Sequence, residues 1–402
     1  MVRRSRLRFR GPVRRQLHAP DDQAVTFVEL FFDLVFVFAV TEITTLTASH
    51  LTWAGVARSL LLFWLIWWAW TQFTWTLNPA DTNHDLVRIV TLIATGFAFL
   101  MATSVTRAFG SEVLWFAVPY LLVRLLGLAL QVRVDLEQDS REGTVVLWAA
   151  LSLIGLALVL AGALVDTPAR NWIWLAAILA DVFAATNGAR GGTSWDIRPA
   201  HFSERHGLFV IIALGESLIV AATAISGAER TAALMGDVIA ALVLVCLLWW
   251  TYFGWLKEAT ERGLAAATPS HIAGLARDAF SLGHFPLLCG IVGFSVAIEE
   301  IVRRPATAAH GEVVAALGVG VALFVGGSAF VLWRACRQVL VPRLAILAAT
   351  EVLLVVLATQ EPVWLLTAVA AGVFAIVIVE GLTHPETTAE REVALDIPPT
   401  DE

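Results

Sequence analysis

Long apolar runs without a single charged side chain recur along this sequence, and they constrain the fold more than any other feature. Leu60–Trp70, Val145–Val165 and Val363–Val379 are the clearest. Runs of this kind in series predict membrane-spanning helices, because only a helix satisfies its own backbone in hydrocarbon. Composition agrees: 58% of the 402 residues are hydrophobic and 15% charged, against about 25% charged in soluble domains. Twelve spans of ~20 residues would occupy about 240 residues. A soluble two-domain enzyme, a nucleic-acid-binding protein and a disulfide scaffold are excluded.

The runs predict spans at 26–48, 54–77, 86–107, 111–133, 144–165, 170–189, 207–227, 233–256, 278–298, 311–334, 341–358 and 362–382. Around them the chain divides into a basic cytoplasmic arm (1–25), a first membrane half (26–189), a cytoplasmic connecting loop (190–206), a second half (207–382) and an acidic disordered tail (383–402). The arm carries seven Arg ahead of an apolar span, as an export signal would, but that span holds Glu29 and Asp33 and no small-residue cleavage site follows. With the N-terminus inside, 20 Lys and Arg fall on cytoplasmic segments and six on the outer ends. This asymmetry predicts both termini in the cytoplasm.

An internal echo suggests how the spans are grouped. Trp67-Trp68-Ala69-Trp70 ends the second span and Trp249-Trp250-Thr251-Tyr252 ends the eighth, 182 residues later. Each precedes a polar loop and then a span that opens on an acid, Asp85 or Asp278. The expected fold is an all-α integral membrane protein with about twelve transmembrane helices in two parallel six-helix repeats. The alternative is that paired Trp residues anchor two unrelated helices at the interface.

Ionisable groups inside the spans are the candidate functional residues, since each costs about 2.5–3.5 kcal/mol at the bilayer centre on insertion scales. Glu29 and Asp33 share one face of the first helix, one turn apart. Glu216 lies mid-span between Gly215 and Ser217. Glu29, Asp33, Glu216 and Ser217 are candidate substrate- or ion-binding residues. Asp85, Arg88, Glu204, Arg205 and His206 are a candidate supporting polar network. Two readings stand for the acids, ion or substrate handling and ion pairs that lock the bundle. Asp181, Asp237, His284, Arg124 and Glu351 are isolated in sequence and read as buried hydrogen-bonded groups or span ends. His201, Glu204 and His206 lie together in the predicted loop, but their spacing matches no metal motif. Cys246, Cys289 and Cys336 share no redox or metal spacing. No metal or other cofactor is expected.

Glu29-Leu-Phe-Phe-Asp33-Leu-Val-Phe-Val, with Glu204-Arg205-His206-Gly207 through Gly215-Glu216-Ser217, resembles the two signatures of the bacterial low temperature requirement protein A family. The resemblance spans about residues 20–385. It implies a multi-pass inner-membrane protein named for a growth phenotype, with no established activity and no catalytic residues to carry over. The leading functional reading is a secondary transporter or ion-coupled permease in which acids of the two halves line a shared midplane site. A structural or stress-response membrane protein is the alternative. A membrane-embedded enzyme is disfavoured, because no metalloprotease, nucleophile-elbow, phosphate-loop or Cys-x-x-Cys pattern is present. Expected partners are the lipid bilayer and a small solute or ion, with no nucleic acid.

Overall fold

The computed structural model describes residues 17–19, 23–137, 144–188, 195–226, 228–305 and 307–383. Most of the predicted basic arm and the predicted acidic tail lie outside the described residues. Among the described residues, twelve long helices follow one another: α1 (Phe27–Ser49), α2 (Trp53–Leu77), α3 (Asp85–Ala102), α4 (Val113–Glu137), α5 (Thr144–Ala163), α6 (Ala169–Gly188), α7 (Pro199–Ile225) and α8 (Ala232–Phe253), then, beyond the short α9 (Leu256–Ala265) and α10 (Pro269–Leu275), α11 (His284–Arg303), α12 (Gly311–Cys336), α13 (Val341–Leu357) and α14 (Pro362–Thr383). Among the described residues there is no β-strand, only an isolated bridge between His18 and Ala80.

Among the described residues, nine stretches are long and apolar enough to cross a membrane, by length and composition. The long helices outside that set are α1, which carries Glu29, Asp33 and Glu42, α6, which carries Arg170 and Asp181, and α13, with 17 residues. Large apolar side chains such as Leu34, Phe183, Leu353 and Val355 face outward, a surface that a water-soluble protein of this size would not tolerate. The chain is therefore a polytopic helical membrane protein.

Two predicted boundaries move. The segment 199–206, expected in the connecting loop, is the first part of α7, with Pro199 at its start. Its charged run Glu204-Arg205-His206 looked like loop, yet Arg205 and His206 are buried inside the bundle. The ninth predicted span is displaced as well. A continuous rod runs from Pro269 to Arg303 through α10, a π-helical stretch at Ala276–Leu282 and α11. Arg277 and Asp278 did not end it, because Asp278 bonds both Arg277 (2.6 Å) and Arg334 of α12 (2.7 Å).

Helix α1 packs against α2, α3, α7 and α11, so it contacts helices from both the earlier and the later part of the chain. Neighbour relations recur between halves: α1–α3, α3–α4, α4–α5 and α5–α6 in the first, α7–α11, α11–α12, α12–α13 and α13–α14 in the second. The α11–α12 contact is backbone-close. A Cβ added at Gly290 would sit 2.5 Å from the Gly320 carbonyl oxygen, and one added at Gly320 would sit 2.5 Å from the Phe294 nitrogen, the small-residue packing typical of membrane helices. Part of the predicted arm is strapped to the bundle. Leu17 bonds Glu137, Ala19 bonds Pro79 and Arg198, and Gln23 bonds Ala80.

Candidate functional site

Helices α1 and α7 run parallel, since Arg205 meets Glu29 and Asp33 while Glu216, further along α7, meets Thr41, further along α1. Their seam holds the three candidate acids in two layers. The near layer lies where both helices begin. The far layer lies about 12 Å along, the rise of the eight residues from Asp33 to Thr41. Glu29, Asp33 and Glu216 therefore do not meet in one site.

The near layer is closed around Arg205. Its guanidinium donates to Glu29 Oε1 (2.7 Å), Asp33 Oδ2 (3.1 Å) and Asp33 Oδ1 (2.6 Å), and all three residues are 0% exposed. Trp70 donates its indole N–H to Asp33 Oδ1 (2.6 Å). Glu29 Oε2 accepts from the Thr26 backbone N–H and hydroxyl, each at 2.9 Å, so Glu29 also caps α1. His201 Nε2 lies 3.0 Å from Glu29 Oε1. Its tautomer follows from Asn78: the Asn78 carbonyl oxygen accepts from Arg198 N, which leaves the amide NH₂ to donate to His201 Nδ1 (3.1 Å). Nδ1 is thus an acceptor and Nε2 carries the ring hydrogen, which has no hydrogen-bond partner. Every carboxylate oxygen has a donor, the condition under which a buried ionic cluster persists.

The far layer is open by comparison. Glu216 is 0% exposed. Its Oε2 lies 2.5 Å from Thr41 Oγ1, and its Oε1 has no hydrogen-bond partner. No Arg, Lys or His pairs with it among the described residues. Ser217 is bonded instead to Ser295 of α11 (2.6 Å). The charged groups close to Glu216 are Glu299 of α11 and Glu42 of α1. Glu299 pairs with Arg303.

The predicted supporting network divides. Arg205 is the centre of the near layer. His206 is buried among Trp67, Trp70, Phe280 and His284, with Nδ1 on the Phe202 carbonyl and Nε2 unpartnered. Glu204 is exposed. Asp85 and Arg88 are exposed and form no ion pair with each other, because Arg88 reaches back to Asn83 (2.8 Å).

Residues isolated in sequence find partners across the fold. Arg124 of α4 clasps Asp181 of α6 (2.9 and 3.0 Å) and bonds Gln72 and Tyr120. Arg343 of α13 clasps Glu380 of α14 (2.7 and 3.0 Å) and bonds Ser328. His284 accepts from Tyr252 (2.7 Å). Asp237 and Glu351 each keep one unpartnered oxygen, but they lie within the second half, away from the seam. Thr41, Ser295 and Trp70 were not singled out from the sequence, and none carries a charge that would mark it. Trp67 and Trp70 are 0% exposed, whereas Trp249 and Trp250 face outward, so the two Trp motifs serve different surroundings. A cleft between the halves is walled by Trp68, Trp75, Trp148 and Trp195, with Thr71 and Arg277 among its polar groups.

A polytopic all-α membrane protein with two buried carboxylates of its first helix paired to an arginine of its seventh, and a buried carboxyl of the seventh left without a cation among the described residues, is thereby defined. Residues 24–379 match the family described as bacterial low temperature requirement A protein, and the chain belongs to that family. An uncharacterized protein of Rhizobium meliloti (strain 1021), RA0937, is similar, being 27% identical over 297 residues that cover 71% of each chain. No solved structure matches.

Proposed function

We propose that this protein is a permease of the bacterial inner membrane in which Glu216 holds the coupling ion. The observation that carries this reading is a fully buried carboxyl with an unpartnered oxygen and no counter-cation, placed where α1, α7 and α11 of both halves join. Keeping such a group in a membrane is costly, and an ionisable residue retained there despite that cost is a candidate for function. In this reading all twelve long helices cross the bilayer, both termini are cytoplasmic, and the recurrent neighbour relations reflect two parallel repeats. The indole-walled cleft between the halves is the place for the solute, an apolar recess with a few polar groups.

A structural role is favoured for the other acids by one observation: Arg205 satisfies Glu29 and Asp33 together. They join the seam rather than bind cargo. The test is an untargeted comparison of metabolite and ion uptake in cells making wild-type protein or Glu216→Gln at equal membrane abundance. The variant is expected to lose pH-dependent uptake of at least one solute. Identical uptake profiles would overturn the permease reading.

A further inference from the structure

We infer that the ion held at Glu216 is a proton, carried on Oε2 and donated to Thr41. This deepens the reading above and rests on it only for the word coupling. A count of hydrogens at Thr41 supports it. A threonine hydroxyl has one hydrogen and two lone pairs. Thr41 Oγ1 touches two oxygens, Glu216 Oε2 at 2.5 Å and the Val37 carbonyl at 3.2 Å. Both contacts are full two-centre hydrogen bonds at once only if Glu216 supplies its own hydrogen. The chain then runs from Glu216 Oε2–H to Thr41 Oγ1, and from the Thr41 hydroxyl to Val37 O.

The ionised alternative is poorly served. A buried carboxylate would have one donor, an orphan Oε1 and two further acids, Glu299 and Glu42, as its charged neighbours. Arg303 is committed to Glu299 and Arg107 lies beside Glu42, so neither reaches Glu216. A bound metal cation is served no better. Hard cations take several oxygen ligands, and no group of three His, Cys, Asp or Glu is placed to hold one among the described residues. The nearby hydroxyls are also committed: Ser295 donates to the Ile291 carbonyl (2.7 Å), so Ser217 donates to Ser295.

Release is balanced within the same groups. The O–H bond of Glu216 breaks, the proton passes to water or to solute, and the carboxylate keeps the electron pair. Thr41 then turns its one hydrogen from Val37 O to Oε2, which gives the anion one charge-assisted hydrogen bond.

Infrared difference spectroscopy of the purified full chain in nanodiscs at neutral pH tests this, because a protonated carboxyl has a carbonyl stretch that a carboxylate lacks. Wild type minus Glu216→Gln is expected to contain that band. It should shift in D₂O, move to higher frequency in Thr41→Val, stay in place in Thr41→Ser and be lost at high pH. The two Thr41 variants keep the test usable if Glu216→Gln does not fold. Carboxylate stretches in place of the carbonyl band, or a band insensitive to Thr41→Val but displaced by Na⁺ or K⁺, would overturn the assignment. Such a failure is separable from failure of the permease reading. The band without any flux sinks transport alone, and flux without the band sinks the proton alone.

Discussion

The two layers of the α1–α7 seam give opposite answers to one problem, a carboxylate in lipid. In the near layer, Glu29 and Asp33 are neutralised by Arg205 and receive further hydrogen bonds from Thr26 and Trp70. In the far layer, Glu216 has a single hydroxyl and no cation. A site satisfied at every oxygen is rigid, and changing its charge breaks the fold. A site left one bond short has a second state available to it. Burial alone does not mark an acid as functional, and the completeness of its partners is the sharper criterion.

The largest expected effect comes from breaking the near layer. Arg205→Met leaves two buried carboxylates without their counter-charge, and truncating one partner of such a cluster costs about 3–5 kcal/mol. Thermal denaturation in detergent should show a large loss, or the protein should fail to accumulate. The triple variant Arg205→Met, Glu29→Gln, Asp33→Asn removes all the charges together and should recover most of that stability. If the triple variant is no better than Arg205→Met, charge neutralisation is not what holds the layer.

Backbone closeness gives the next effect. Gly290→Val forces the α11–α12 contact apart and should cost about 1–3 kcal/mol, the usual penalty of overpacking, while leaving the charge state of Glu216 alone. Glu216→Gln should change stability by less than about 1 kcal/mol, because it replaces one neutral hydrogen-bonding group by another. A loss as large as that of Arg205→Met would erase the distinction between the layers. Smallest of all, Glu204→Gln and Arg88→Gln alter exposed groups and should stay within about 0.5 kcal/mol. A larger change at Glu204 would show that it joins the network after all.

Hydropathy made most of the helices legible. The predicted spans 54–77, 341–358 and 362–382 agree closely with α2, α13 and α14, because long, mostly apolar runs bounded by polar residues leave little choice of ends. Boundaries failed where charge is hidden by tertiary contact. Hydropathy assigns the start of α7 to a loop because Arg205 and His206 are polar, whereas the partners of Arg205 lie more than 170 positions away on α1 and those of His206 on other helices. The same reason kept Arg124 and Asp181 apart, 57 residues from each other in sequence. The acids were visible as candidates, since charge in an apolar run is conspicuous. That they separate into a closed and an open layer was not visible, because it depends on which helix brings an arginine and which brings only a threonine.

The most direct measurement is flux in liposomes loaded with a pH-sensitive dye, under an imposed solute gradient and a membrane potential. Wild-type protein and Glu204→Gln are expected to move protons with the solute at equal rates, and Glu216→Gln, inserted to the same level, is expected to move none. Proton movement by Glu216→Gln at the wild-type rate would contradict the account, because the open carboxyl of the far layer would then have no part in what the protein carries.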